Sequence, residues 1–295
     1  MKNTNHKCLI LFWFTQLLFG SLQAQISPSP EIHYFLLRGL SRESGHWEAD
    51  FLSGLKNGEE GVFIHYMDLP GAGMYNQMKA PTSVPKMAVF LHQENAPVLH
   101  SVDGQKVLIV TSLAGNIGME WIRQHPYEFD KLVLVGPSFK KICKSKERVK
   151  KAAKKGFVQI MLTADREKRE HRILNINSKY HQQDTALFNT WMQIQEIHPI
   201  SRKNIFRQSM AGMFYKAVPE PVGMETLIVG TFGDQIIDPE CTCKIRDTFG
   251  GDLIWHPNAG HGISIDAGKW LGEQIRNWVA PSRLPDPLQT VGLEH

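Results

Sequence analysis

What the 295-residue sequence lacks narrows its reading first. It has no internal repeat of fixed period and no low-complexity tract, which excludes solenoid and array architectures. Cysteine is scarce, with four residues in all, so a disulfide-dense scaffold is excluded. No pair of histidines has zinc-ligand spacing with a third partner, so no metal site is expected. Lys and Arg number 33 against 29 Asp and Glu, and the net charge of +4 is too small at this length to call for nucleic acid. What remains is an ordinary globular composition in a chain long enough for one large α/β domain.

The two ends differ from the rest. After Lys2 and Lys7 comes an apolar run from Cys8 to Gly20, short for a membrane span, followed by SLQAQ and the turn-rich SPSP. Residues 1–24 therefore read as an export signal, giving a periplasmic or secreted protein. Cleavage after Ala24 would put Leu22 where a small residue is preferred, which keeps an uncleaved membrane anchor as an alternative. A start assigned too far upstream of a cytoplasmic enzyme is the third reading. At the other end, residues 281–295 carry Pro281, Pro285 and Pro287 and read as a tail.

Between them, one segment carries chemistry. Val107 to Thr111 is a β-branched apolar run that predicts a buried parallel strand, and Ser112 closes it. Ala114 and Gly115 follow, and then an amphipathic helix carrying Ile117, Trp121 and Ile122, so the serine stands on a strand-turn-helix bend. Two later loops, Gly230 to Pro239 and His256 to Asp266, each follow an apolar strand and present one candidate partner, Asp234 and His261. Asp234 ends its strand and is the better positional match than Asp238; His261 lies between Gly260 and Gly262, whereas His256 belongs to the strand end. The order is Ser, Asp, His. His33, His46 and His65 read as surface or core-edge residues, and Asp68 as a brace for its own turn.

These motifs resemble the α/β-hydrolase fold family, in its small esterase-like branch with a helical cap, from about Ile32 to about Val279. The resemblance adds three segments: His33 to Trp47, with Arg38-Gly39 where the family usually has His-Gly; Met67 to Gly73; and Leu132 to Ser138. It implies a mostly parallel central sheet with helices on both faces, formed by residues 32–138 and 218–280, with a helical cap inserted at 139–217. It also implies a catalytic triad of Ser112, His261 and Asp234, an oxyanion hole made by the backbone N–H groups of Leu40 and Leu113, and no cofactor or metal. The elbow departs from G-x-S-x-G at both flanks, as Val110 and Ala114. Val110 would crowd the turn, lowering activity, shifting the elbow, or being absorbed by neighbouring small residues.

The cap segment Phe139 to Gly156 carries nine Lys or Arg against one Glu, which reads as a solvated basic face or as a surface for weak contact with anionic membrane. Arg38 is expected to orient an anionic group of the substrate, and Trp191, in the aromatic and methionine-rich stretch Ala186 to Tyr215, to line the pocket. Cys143, Cys241 and Cys243 read as structural or free thiols; export would permit a bridge from Cys143 to Cys241 or Cys243. The expected function is hydrolysis of a small or medium apolar carboxylic ester through an acyl-enzyme. Alternatives are a thioesterase, amidase or lyase using the same triad, or a non-catalytic membrane-associated binding protein on a degenerate form of the fold.

Overall fold

The computed structural model describes residues 31–280; the expected signal and tail lie outside them. Six parallel strands form one sheet in the order β2-β1-β3-β4-β5-β6. They are β1 (Ile32–Leu37), β2 (Val62–Met67), β3 (Gln105–Thr111), β4 (Lys131–Val135), β5 (Glu225–Thr231) and β6 (Asp252–His256). The central strands are buried on both faces, so alternate residues enter two different cores. Phe35, Leu37, Leu108, Val110, Leu132 and Leu134 meet the helices α2 (Val84–Ser101), α3 (Leu113–Gln124) and α9 (Pro239–Phe249). Tyr34, Leu36, Val107, Ile109, Val133 and Val135 meet α1 (Ala49–Lys56) and α11 (Gly268–Val279). Each fully buried Leu, Ile or Val side chain contributes about 1.5–3 kcal/mol, which holds a sheet without a solvent face together.

Between β4 and β5 the chain leaves the sheet for a helical insert: α4 (Ser145–Arg148), α5 (Lys151–Leu162), α6 (Arg166–Asn177), α7 (Thr185–Ile197) and α8 (Arg202–Phe214). Asp165, Asp184 and Ser201 cap the last three by accepting from Lys168, Leu187 and Asn204 N–H, each cap stabilising by about 1 kcal/mol. Buried polar contacts fix the insert to the sheet. Arg42 Nη2 lies 2.7 Å from Glu170 Oε2 of α6, and Asn204 and Gln208 of α8 donate to the carbonyls of Gly71 and Pro70. Because Glu170 is fully buried, losing Arg42 would leave an unpaired interior charge.

The structure corrects the cysteine reading. Cys143 and Cys241 form a disulfide with Cα atoms 5.1 Å apart, closing 98 residues, while Cys243 is a half-buried thiol. His33 and His46 are both buried rather than at the surface or the core edge, at 3% and 2% exposure.

Candidate active site

Parallel strands deliver their loops to one edge of the sheet, and the site lies at the carboxyl ends of β3, β5 and β6. Ser112 sits between β3 and α3 with φ 53° and ψ −117°, a conformation a side-chain-bearing residue adopts only under constraint. Its N–H donates to Val135 O at 2.8 Å, pinning the bend to β4. The expected crowding by Val110 is absorbed: its methyl groups fill the space over Gly118 of α3, where an added Cβ would stand 3.0 Å from Cγ1. Gly118 thus does, one turn into the helix, what a glycine before the serine would do.

Ser112 Oγ lies 2.9 Å from His261 Nε2, and His261 Nδ1 lies 2.8 Å from Asp234 Oδ2. The other carboxylate oxygen, Oδ1, accepts from Ile236 and Ile237 N–H at 2.7 and 2.8 Å, so the carboxylate is oriented before it meets the imidazole. An acceptor on Nδ1 holds the tautomer whose Nε2 lone pair faces the serine hydroxyl. Gly136 makes room for the pair. It has φ 55°, and a Cβ there would stand 3.3 Å from His261 Cε1 and 4.0 Å from Asp234 Oδ2.

The neighbouring alternatives have structural work. Asp238 caps α9, accepting from Glu240 N–H. His256 Nδ1 accepts from Asn258 and Ala259 N–H, bracing the turn that leads to His261. Asp68 accepts from Ser44 and Met74 N–H, a brace for its own turn.

Gly39 brings the other loop against the serine: a Cβ there would lie 3.1 Å from Ser112 Cβ and 3.5 Å from Leu113 N. The Leu113 N–H is the first of its helix and has no intrahelical acceptor, and the Leu40 N–H, just after Gly39, takes part in none of the turn and loop hydrogen bonds among the described residues. Two backbone N–H groups without such acceptors therefore belong to the two segments that meet at Ser112.

Two expected side chains are placed elsewhere. Arg38 is buried, donates from Nη1 to Ser264 Oγ at 2.6 Å, and lies over the Trp47 ring at 4.7 Å with Glu48 3.8 Å from Nη2. Burial lowers its pKa, with Glu48 acting in the opposite direction. Its charge is turned into the protein, toward the helix α10 (Ile263–Asp266) that follows His261. Trp191, 1% exposed, packs with Ile160, Ile173, Leu174 and Phe188 in the insert's own core, under the Arg42 guanidinium. It forms no pocket wall.

Residues that the sequence did not single out support the acid loop. Lys150, read as part of a solvated basic face, donates from Nζ to the Asp234 carbonyl at 2.6 Å and from its backbone N–H to Ile236 O at 2.8 Å. Asp238 N–H donates to Glu147 O, Lys244 pairs with Glu147 at 2.9 Å, and the Cys143–Cys241 disulfide closes the same junction. The start of the insert is thus fastened to the loop that presents Asp234. No local sequence signal announces this, because the partners are about 90 residues apart and carry no joint motif.

No family model matches the sequence, and no curated protein matches it. Solved structures do. An esterase from Exiguobacterium antarcticum is 17% identical, with TM-score 0.67 over 85% of this chain and 93% of that one. A thermophilic esterase from Thermogutta terrifontis is 15% identical, with TM-score 0.66 over 85% and 90%. An α/β-hydrolase fold protein from Chitinophaga pinensis is 17% identical, with TM-score 0.63 over 86% and 91%. At this identity the likeness shows the fold, and the fold is that of the α/β-hydrolases.

Proposed function

We propose that this α/β-hydrolase-fold chain is a serine hydrolase that cleaves a small or medium carboxylic ester. The observation that carries the reading is the aligned Ser112–His261–Asp234 relay, set on a strained elbow beside two backbone donors. His261 Nε2 takes the Ser112 proton as Oγ bonds to the carbonyl carbon, and Asp234 stabilises the imidazolium. Negative charge developing on the carbonyl oxygen is met by the N–H groups of Leu113 and Leu40. Collapse expels the alcohol, protonated by His261, and water activated by the same histidine releases the acid. The strained Ser112 backbone argues against a mere binding fold, which has no need to hold this geometry.

Hydrolysis of p-nitrophenyl esters of increasing acyl length tests the reading. Turnover that disappears in Ser112→Ala is the expected result. Equal turnover in wild type and Ser112→Ala, both folded, would overturn it.

We also propose an exported location and weak contact with anionic membrane. The Cys143–Cys241 disulfide suits an oxidising compartment. On the insert, exposed Val158 and Leu162 continue the helix face that begins with Lys151, Lys154 and Lys155, and Phe206 and Phe214 are exposed on α8. Cationic and apolar groups side by side suit a negatively charged bilayer surface. Binding to phosphatidylserine-containing vesicles that weakens with salt is expected; no binding at low salt would remove this contact.

A further inference from the structure

At the sheet edge remote from Ser112, α2 and the end of α3 bring together three side chains that the hydrolase chemistry does not use. His92 stands on α2, His125 caps α3, and Glu128 follows in the connection to β4. Ser112 and His125 are separated by the whole of α3, about 18 Å at 1.5 Å per residue. One candidate ligand atom from each of the three lies within 4.8 Å of the others, and this is the one such cluster among the described residues. We propose that His92, His125 and Glu128 bind a divalent transition-metal cation of the zinc class, which ties α2 to the α3–β4 connection.

Three observations carry this. First, the contacts in the cluster are close without being hydrogen bonds. His92 Nδ1 is 2.7 Å from Glu128 Oε1 and His125 Nδ1 is 3.8 Å from the same oxygen, yet the His92 nitrogen is buried with no hydrogen-bond partner. A buried ring nitrogen without an aligned hydrogen bond is costly, and a cation is one group that would engage it together with a carboxylate. Second, the two imidazoles stack face to face, with centroids 3.6 Å apart and planes 11° apart. The stack sets one ring nitrogen of each beside the same carboxylate oxygen. Third, the carboxylate is already oriented: Trp121 Nε1 donates to Glu128 Oε2 at 2.5 Å, leaving Oε1 for the cluster.

Two imidazoles and one carboxylate with solvent at the fourth position form a common ligand set for zinc. Tetrahedral bonds of 2.0–2.1 Å put ligand atoms about 3.3 Å apart, so closing the cluster asks shifts of about 1 Å from side chains that are each only partly buried. A surface hollow of about 610 Å³, lined by His125 and Glu128, gives the ion a way in. Because the site is remote from Ser112, its effect is on stability: a ligand that binds only the folded chain raises the unfolding temperature by mass action.

The test uses the full chain, stripped with chelator and desalted, and zinc as the probe. Calorimetric titration should show one equivalent bound, with an accompanying rise in Tm. His92→Ala and His125→Ala should each weaken binding at least about tenfold and abolish the Tm rise. Footprinting of wild type with diethyl pyrocarbonate needs no variant, and zinc should protect His92 and His125 in particular. Absence of binding, binding unchanged in both variants, or protection confined to other histidines would each overturn the proposal.

Discussion

His261 and Asp234 stand 2.8 Å apart, and His92 and Glu128 stand 2.7 Å apart. The residue types match and the distances nearly match, yet only the first pair is a hydrogen bond. In the first, backbone N–H groups of Ile236 and Ile237 hold one carboxylate oxygen so that the other lies in line with the imidazole N–H, and the second ring nitrogen is aimed at Ser112. In the second, Trp121 holds the carboxylate, but the ring nitrogen is out of line and a second imidazole lies against the first. The lesson is that alignment, not proximity, decides what a histidine and a carboxylate can do together. An aligned pair sets a tautomer for proton transfer; a misaligned, converging set leaves ring nitrogens that a cation could engage.

The largest effect that separates the pairs comes from removing the negative charge in each. Asp234→Asn should lower kcat/KM for ester hydrolysis by about 10⁴-fold, since the wrong tautomer then faces Ser112. Glu128→Gln should leave ester turnover unchanged, and a comparable loss there would break the distinction. Next in size, Gly39→Ala should lower kcat by about 10²–10³-fold by displacing the Leu40 N–H donor, because its Cβ would stand 2.9 Å from Thr111 O. A rise in KM with kcat unchanged would place the effect elsewhere.

The support around each pair gives smaller, structural effects. Cys143→Ser should cost about 2–5 kcal/mol in denaturant unfolding, as expected for a bridge that closes a long loop and joins the insert to the acid loop. Gly118→Ala, with its Cβ 3.0 Å from Val110, should cost about 1–3 kcal/mol from overpacking, and Val110→Ala should relieve it. Additive losses in the double variant would contradict the compensation between Val110 and Gly118.

The smallest effect is in pH dependence. Burial, with the Arg42 and Arg38 guanidiniums adding to it, holds His46 well below the usual histidine range, and Arg42 Nη1 donates to its Nε2 at 2.7 Å. The backbone N–H of Glu43 is its other close contact, at 3.2 Å. The unfolded chain takes up a proton near the ordinary value of 6.5 while the folded chain does not. This contribution is therefore full above about pH 6.5 and is lost as pH falls below it. His65 and His256, lowered mainly by burial, act in the same direction. The urea midpoint should fall between pH 7.5 and 6, and a flat profile would contradict the buried neutral state of His46.

The same contrast explains what could be read from the sequence. The strands of the sheet and the loops carrying Ser112, Asp234 and His261 were legible because each is a local pattern, an apolar run ending in a turn. The Leu40 and Leu113 N–H groups came only from the family resemblance, which can carry them over because backbone donors follow chain position and tolerate side-chain change. Arg38 and Trp191 were misread because a long side chain on a loop or helix points where packing sends it, which no spacing fixes. The His92 cluster escaped notice because its histidines are 33 residues apart and meet only when α2 packs on α3. Lys150 looked like surface charge because its acceptor, a carbonyl of the acid loop, is a backbone group without a sequence signature.

The most direct test of the central claim is labelling of the purified chain with a fluorophosphonate probe, with the modified residue located by mass spectrometry. The account predicts one adduct, on Ser112, that His261→Ala abolishes. A folded chain that takes no label, or whose label persists in His261→Ala, would contradict an activated serine at this elbow.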